Sequence, residues 1–201
     1  MEMVQQNQWL LRACVSAILV LPTPALAQGS AQNRQQTAAP ARANSTQPGA
    51  PQAALAKLAG NYDRIIIFAG QTGAMAAPSS GTCKISVVLG GRFILEESTD
   101  TVFGRPVEGL RIYGYNNATQ QYEMARMYTL STGITMMKGT SSDGGKTIDF
   151  TGETETSGTG AAPMHGLLRQ IDDDHFIVTL STTGSDGKET PFQETDYSRK
   201  K

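Results

Sequence analysis

From Asn61 onward, apolar and polar residues alternate in short runs, and most runs end at glycine, proline, asparagine, aspartate or serine. Runs of that length and period two mark β-strands joined by tight turns. The clearest is Thr82 to Leu89, with Cys83, Ile85, Val87 and Leu89 on one face and Lys84, Ser86 and Val88 on the other. Gly90-Gly91 interrupts it, because glycine takes positive φ at no steric cost. In the run from Arg92 to Ser98, Phe93, Leu95 and Glu97 share one face, and Arg92, Ile94 and Glu96 share the other. Gly104-Arg105-Pro106 then predicts a reversal into Val107 to Tyr115. There Gly109, Arg111, Tyr113 and Tyr115 fall on one face, and Leu110 and Ile112 fall on the other, which reads as core.

The same reading predicts strands over Asn61 to Ala69, Gln121 to Thr129, Ile134 to Thr140, Lys146 to Gly152, Met164 to Ile171, His175 to Thr182 and Pro191 to Arg199. Ser142-Asp143-Gly144-Gly145 and Ser185-Asp186-Gly187 are hairpin signals. Gln71 to Gly81 and Thr154 to Pro163 read as loops, and Leu55 to Leu58 as a short helical lead-in. About ten strands result, with no helix long enough to cross between parallel neighbours. The expected fold is all-β, a single antiparallel up-and-down barrel, with a sandwich as the alternative.

Residues ahead of the strands change the picture of where the domain works. The apolar run Ala13 to Leu21 has the length of a signal h-region, and Ala25-Leu26-Ala27 before Gln28 is an A-x-A cleavage site. Residues 1–27 are therefore expected to be a signal peptide, and the mature chain periplasmic or secreted. Residues 28–54, rich in Gln, Ala, Ser, Thr and Pro, read as a disordered linker, and 55–201 as the barrel domain. No run after Leu21 is apolar for long enough to predict a transmembrane helix. Removal of the signal leaves Cys83 as the lone cysteine, expected to be buried in its strand. From Ala53 onward the chain holds 14 Lys and Arg against 17 Asp and Glu, a formal charge of −3. With no basic stripe, nucleic acid is not an expected partner.

Catalytic and metal motifs are weak. His165 and His175 have no third or fourth ligand at a metal spacing, and Asp172-Asp173-Asp174 lacks the alternation of a calcium loop. Glu96 and Glu97 fall on opposite faces of one strand, so they do not form an acid/base pair with each other. No Gly-x-Ser-x-Gly elbow and no Lys-Ser/Thr phosphate loop occurs. Neither a metal nor a cofactor is expected.

Several pieces together resemble the domain-of-unknown-function family 1579. They are Leu58-Ala59-Gly60, Leu89-Gly90-Gly91-Arg92-Phe93 with Glu96-Glu97, Gly104-Arg105-Pro106 with Gly109, Gly114-Tyr115-Asn116, Tyr122, Ser131-Thr132-Gly133, Gly152-Glu153, Asp172 to His175 and Tyr197-Ser198-Arg199. The resemblance implies a calycin-like β-barrel and no established reaction. Family members usually carry Trp where this chain has Tyr62, and Trp then Asp where it has Arg126 and Tyr128. If those positions line a pocket, the ligand of this chain differs from that of its relatives.

The chemistry that remains is that of a barrel interior. If the face bearing Arg111, Tyr113, Met124, Arg126 and Tyr128 turns inward, the cavity joins apolar walls to two guanidinium groups. Such a cavity suits a small amphipathic or lipid-like ligand with a carboxylate or phosphate, and Glu97 is a further candidate partner for a buried arginine. If that face turns outward, Leu110, Ile112, Ala125 and Met127 form a solid core. The leading expectation is ligand binding without catalysis. An envelope interaction module and an enzyme using inward carboxylates or tyrosines are the alternatives.

Overall fold

In the computed structural model, which describes residues 46–69, 77–156, 160–184 and 187–201, the alternating runs close into a ten-stranded barrel. One helix, α1 (Ala50–Ala56), precedes β1 (Gly60–Phe68), β2 (Ser79–Val88), β3 (Phe93–Val102), β4 (Arg105–Asn116) and β5 (Gln121–Tyr128). Then come β6 (Thr135–Thr140), β7 (Thr147–Thr156), β8 (Gly160–Gln170), β9 (His175–Thr183) and β10 (Glu189–Arg199). Each strand pairs antiparallel with the next in sequence, and β1 pairs with β10, Arg64 opposite Tyr197, to close the ring. Closure leaves no strand edge unpaired, which sets the sandwich alternative aside.

Several expected boundaries move. The β3–β4 turn is Phe103-Gly104, both with positive φ (50° and 75°), a pair suited to a two-residue hairpin. Arg105 and Pro106 therefore lie inside β4, where Pro106 pairs with Thr101. The loop expected over Thr154 to Pro163 shrinks, because β7 runs to Thr156 and β8 starts at Gly160. The helix begins at Ala50, so the last residues assigned to a disordered linker, Ala50 to Ala54, are helical. The signal segment 1–27, its cleavage site and the linker up to residue 45 lie outside the described residues. Among the described residues, no helix is long and apolar enough to cross a membrane.

α1 closes one end of the barrel. Its Gln52 side chain accepts a hydrogen bond from Gly49 N–H (2.8 Å) and donates to Tyr115 O and Asn117 Oδ1 (2.9 Å each), tying the helix to the β4–β5 turn. Leu55 and Leu58 then enter the apolar core, packed in one cluster with Tyr62, Cys83, Ile85, Ile94, Tyr122 and Phe150. Tyr62 Oη donates back to Leu58 O (3.0 Å). Cys83 is buried as expected, and burial pushes its thiol up to about 12.

Leu110 and Ile112 are not core. They stand on the outer wall at 41% and 37% exposure, while Arg111 and Tyr113, which alternate with them, are buried. Leu110 and Ile112 face solvent because the barrel interior takes the opposite parity on β4, that of Val107, Arg111 and Tyr113, and that interior is polar at mid-height.

Candidate functional site

The inner faces of β2, β3, β4 and β5 carry a row in register across the strands: Ile85 opposite Glu96, Glu96 opposite Arg111, and Arg111 opposite Arg126. Across the barrel, β1 and β10 supply Arg64 and Tyr197. These side chains meet in a charged layer. Arg64 Nη1 donates to Asp100 Oδ2 (2.8 Å), and Glu96 Oε1 lies 3.7 Å from Arg64 Nη2 and 3.6 Å from Arg111 Nη1. Arg111 Nη1 donates to Tyr197 Oη (2.5 Å), whose hydroxyl donates in turn to Glu96 Oε1 (3.1 Å). Arg64 also stands over the Tyr197 ring, 5.0 Å from its centroid, and Phe176 stacks on that ring at 4.1 Å.

Arg64 reaches Asp100, two strands away, because the residue between them on β2 is Gly81. A Cβ at Gly81 would overlap the Asp100 carboxylate. Burial raises the Asp100 carboxyl above its ordinary value, and the Arg64 charge works against that rise. Burial opposes the charge on Arg111, but Tyr197 and Glu96 outweigh it and hold the guanidinium well above its ordinary value. Such groups belong together, since a buried ion without a partner costs several kcal/mol, of the order of 3–5.

Arg126 is the exception. It is 8% exposed, yet among the described residues it has no carboxylate partner. Among the described residues its one hydrogen bond goes from Nη2 to Gln193 Oε1 at a long 3.3 Å, and its guanidinium carbon stands 4.9 Å from the Tyr128 ring centroid. Burial, then the nearby Arg111 charge, lower it to about 10. Its charge persists at neutral pH, against the electrostatics of its surroundings.

Above the charged layer, at the end opposite α1, the interior opens into a cavity of about 270 Å³. Arg64, Asp100, Arg111, Arg126 and Gln193 form its floor, and Ile66, Phe68, Val102, Val107 and Tyr128 its apolar wall. Gly109 keeps the wall open on β4. The volume equals roughly nine waters at about 30 Å³ each, so a molecule of about ten non-hydrogen atoms fits below the mouth.

The six residues singled out from the sequence separate into three groups. Arg111, Arg126 and Tyr128 line the cavity. Tyr113 and Met124 also face inward but belong to the packed core below it. Tyr113 Oη makes no well-formed hydrogen bond, and burial pushes its phenol up to about 12. Glu97 lies on the outer wall, exposed, so it partners no buried arginine; its neighbour Glu96 does.

Sequence reasoning missed Arg64, Glu96, Asp100 and Gln193. One signal for Arg64 was available, the alternation Tyr62, Arg64, Ile66, Phe68, hidden by the apolar run Ile65 to Phe68 in which Ile65 is in fact half exposed. His165 and His175 sit outside this site, each bonded to carboxylates, Asp149 and Glu189 for the first and Asp196 for the second. Among the described residues, no group of three His, Cys, Asp or Glu could hold a metal ion.

A family model described as "Protein of unknown function (DUF1579)" matches residues 47–199. No curated protein matches the chain. Among solved structures, Rv2717c from M. tuberculosis is similar at 14% identity and a TM-score of 0.54, covering 77% of this chain and 100% of its own. A de novo designed fluorescence-activating β-barrel is similar at 17% identity and a TM-score of 0.41, covering 74% of this chain and 98% of its own. At these identities the Rv2717c likeness bears on the fold alone.

Proposed function

Since the chain belongs to DUF1579, a family of proteins of unknown function, its role has to be read from its own interior, and we propose that the barrel binds a small amphipathic molecule there without catalysis. The observation that carries this reading is the cavity itself: apolar walls over a charged floor, open at one end and closed at the other by the packed core under α1. Such sites, mostly apolar with a few convergent polar groups, are the common form of a small-molecule site. An enzyme using Glu97 or Tyr113 draws no support, because one stands on the outer wall and the other in the core below the cavity. The signal-like residues 1–27 support export, so the ligand is sought in the periplasm or outside the cell.

The test is native mass spectrometry of the chain purified from its own host's envelope fraction. A small bound mass that disappears in Val107→Phe, which fills the cavity wall, is the expected result. A clean protein mass, together with no NMR shift of the Ile66 and Val107 methyls on adding octanoate or octan-1-ol, overturns it.

One observation favours the interaction-module reading. On the outer wall, Leu95, Ile112, Ala125 and Met136 stand in register on four adjacent strands, with Ile112 and Met136 exposed. That reading expects Met136→Lys to release a co-purifying protein and leave any small molecule in place.

A further inference from the structure

The buried charges of this barrel do not cancel. Among the described residues, the buried charged groups of the layer are three arginines, Arg64, Arg111 and Arg126, and two carboxylates, Glu96 and Asp100, with the Tyr197 phenol between them neutral. Both carboxylates pair with Arg64 or Arg111 through one oxygen each, Glu96 Oε1 and Asp100 Oδ2, while Glu96 Oε2 and Asp100 Oδ1 make no hydrogen bond among the described residues. The remaining positive charge is Arg126, which stands at the cavity floor with one long hydrogen bond to a neutral amide. That amide is itself held in place, since Gln193 Nε2 donates to Thr195 Oγ1 (2.9 Å). The other guanidinium N–H groups have no partner among the described residues. Five donors in a planar fork match a carboxylate two bonds at a time.

Resting on the cavity-binding reading, we infer that the ligand is a monoanion, a carboxylate on a short apolar tail, with the carboxylate seated on Arg126 and the tail lying against Ile66, Phe68, Val102, Val107 and Tyr128. A single negative charge brings the layer to neutrality. A phosphate monoester carries close to two charges at neutral pH and would leave the excess negative in a poorly solvated space. An ammonium head would add a fourth cation. A neutral hydroxyl accepts from Arg126 through a single oxygen and leaves its charge unbalanced. The cavity volume sets the chain at about eight carbons below the mouth, the carboxyl carbon included, with longer tails emerging from it.

Isothermal titration of the full chain at about pH 7 with octanoate, octan-1-ol, octyl phosphate and octylammonium tests the head directly. Octanoate is expected to bind at least about ten-fold more tightly than each of the others, the range a hydrogen bond to a charged group supplies. Arg126→Met should bring octanoate down to the affinity of octan-1-ol, and Arg126→Lys should retain part of the preference. Equal binding of octanoate and octan-1-ol, tighter binding of octyl phosphate, or an octanoate preference surviving in Arg126→Met each overturns the monoanion inference. Failure of all four probes to bind brings down the cavity reading instead. Should Arg126→Met fail to fold by circular dichroism, the four-probe comparison on the unmodified chain and Arg126→Lys still decide.

Discussion

Glu96 and Glu97 are neighbours in sequence and stand on opposite sides of the barrel wall. Glu96 is 1% exposed and sits between Arg64 and Arg111 with Tyr197 donating to it, whereas Glu97 is exposed outside. Removing the first takes the carboxylate from the buried Arg111 and leaves Arg64 with Asp100 alone; removing the second strands nothing. Glu96→Ala should therefore destabilise the fold by about 3–5 kcal/mol, and Glu97→Ala should stay within about 0.5 kcal/mol. Urea denaturation of the two variants checks this, and equal costs would mean that the inward parity of β3 is wrongly assigned. The alternation on β3 is plain in the sequence, but neither parity is apolar throughout, so hydrophobicity does not choose between them. What chooses is the register that sets Glu96 opposite Arg111, and register is a property of pairing that one strand's residues do not carry. Arg111, Arg126 and Tyr128 were legible for the opposite reason: they share one parity on consecutive hairpin strands, so a single decision places them all.

At the scale of elements, turn residues made the strand count legible, because nearly every reversal uses glycine, asparagine or aspartate. Less legible were the contacts between strands distant in sequence. His165 on β8 bonds Asp149 of β7 through Nε2 (3.0 Å) and Glu189 of β10 through Nδ1 (2.7 Å), clamping three strands on the outer wall. Partial burial lowers the imidazole, but the Glu189 and Asp149 carboxylates outweigh it, and the net effect raises His165 above its ordinary 6.5. Glu189 is held below its ordinary 4.5, first by the hydrogen bond from His165. A raised histidine stabilises fully below its unfolded value, and that contribution is lost as pH rises through the folded value. A depressed carboxylate stabilises above its unfolded value and loses the contribution as pH falls through the folded one. The clamp is thus complete between about 4.5 and 6.5 and weakens above. Thermal melts at about pH 6 and pH 8 should show the unmodified chain losing stability with rising pH, and His165→Gln losing less. An identical pH dependence in both would show that the clamp contributes nothing measurable.

The whole molecule divides its interior by height. Under α1 it is packed with leucine, isoleucine, tyrosine and phenylalanine; at mid-height it holds the charged layer; above, it opens. The larger apolar cluster lies in the lower part, with a smaller one of Ile66, Val102 and Val107 above, and this burial lets the barrel tolerate an unbalanced cation. That tolerance has a cost. A base whose folded value is depressed, as Arg126 is to about 10, destabilises the fold at every pH below that value, and the cost fades only as pH rises through 10. Replacing Arg126 by methionine, of similar reach and apolar, removes the cost. The ligand-free Arg126→Met chain should gain about 1–4 kcal/mol and melt several degrees higher than the unmodified chain. Octanoate should then reverse the order: at about a hundred times its Kd it adds about 2.7 kcal/mol to the unmodified chain, while Arg126→Met, without its anion seat, gains far less. Differential scanning calorimetry of both chains with and without octanoate reads all four states. A lower Tm for ligand-free Arg126→Met would instead make the guanidinium a structural group, stabilised by Gln193 and the Tyr128 ring alone, and the excess charge of the interior would no longer point to a ligand.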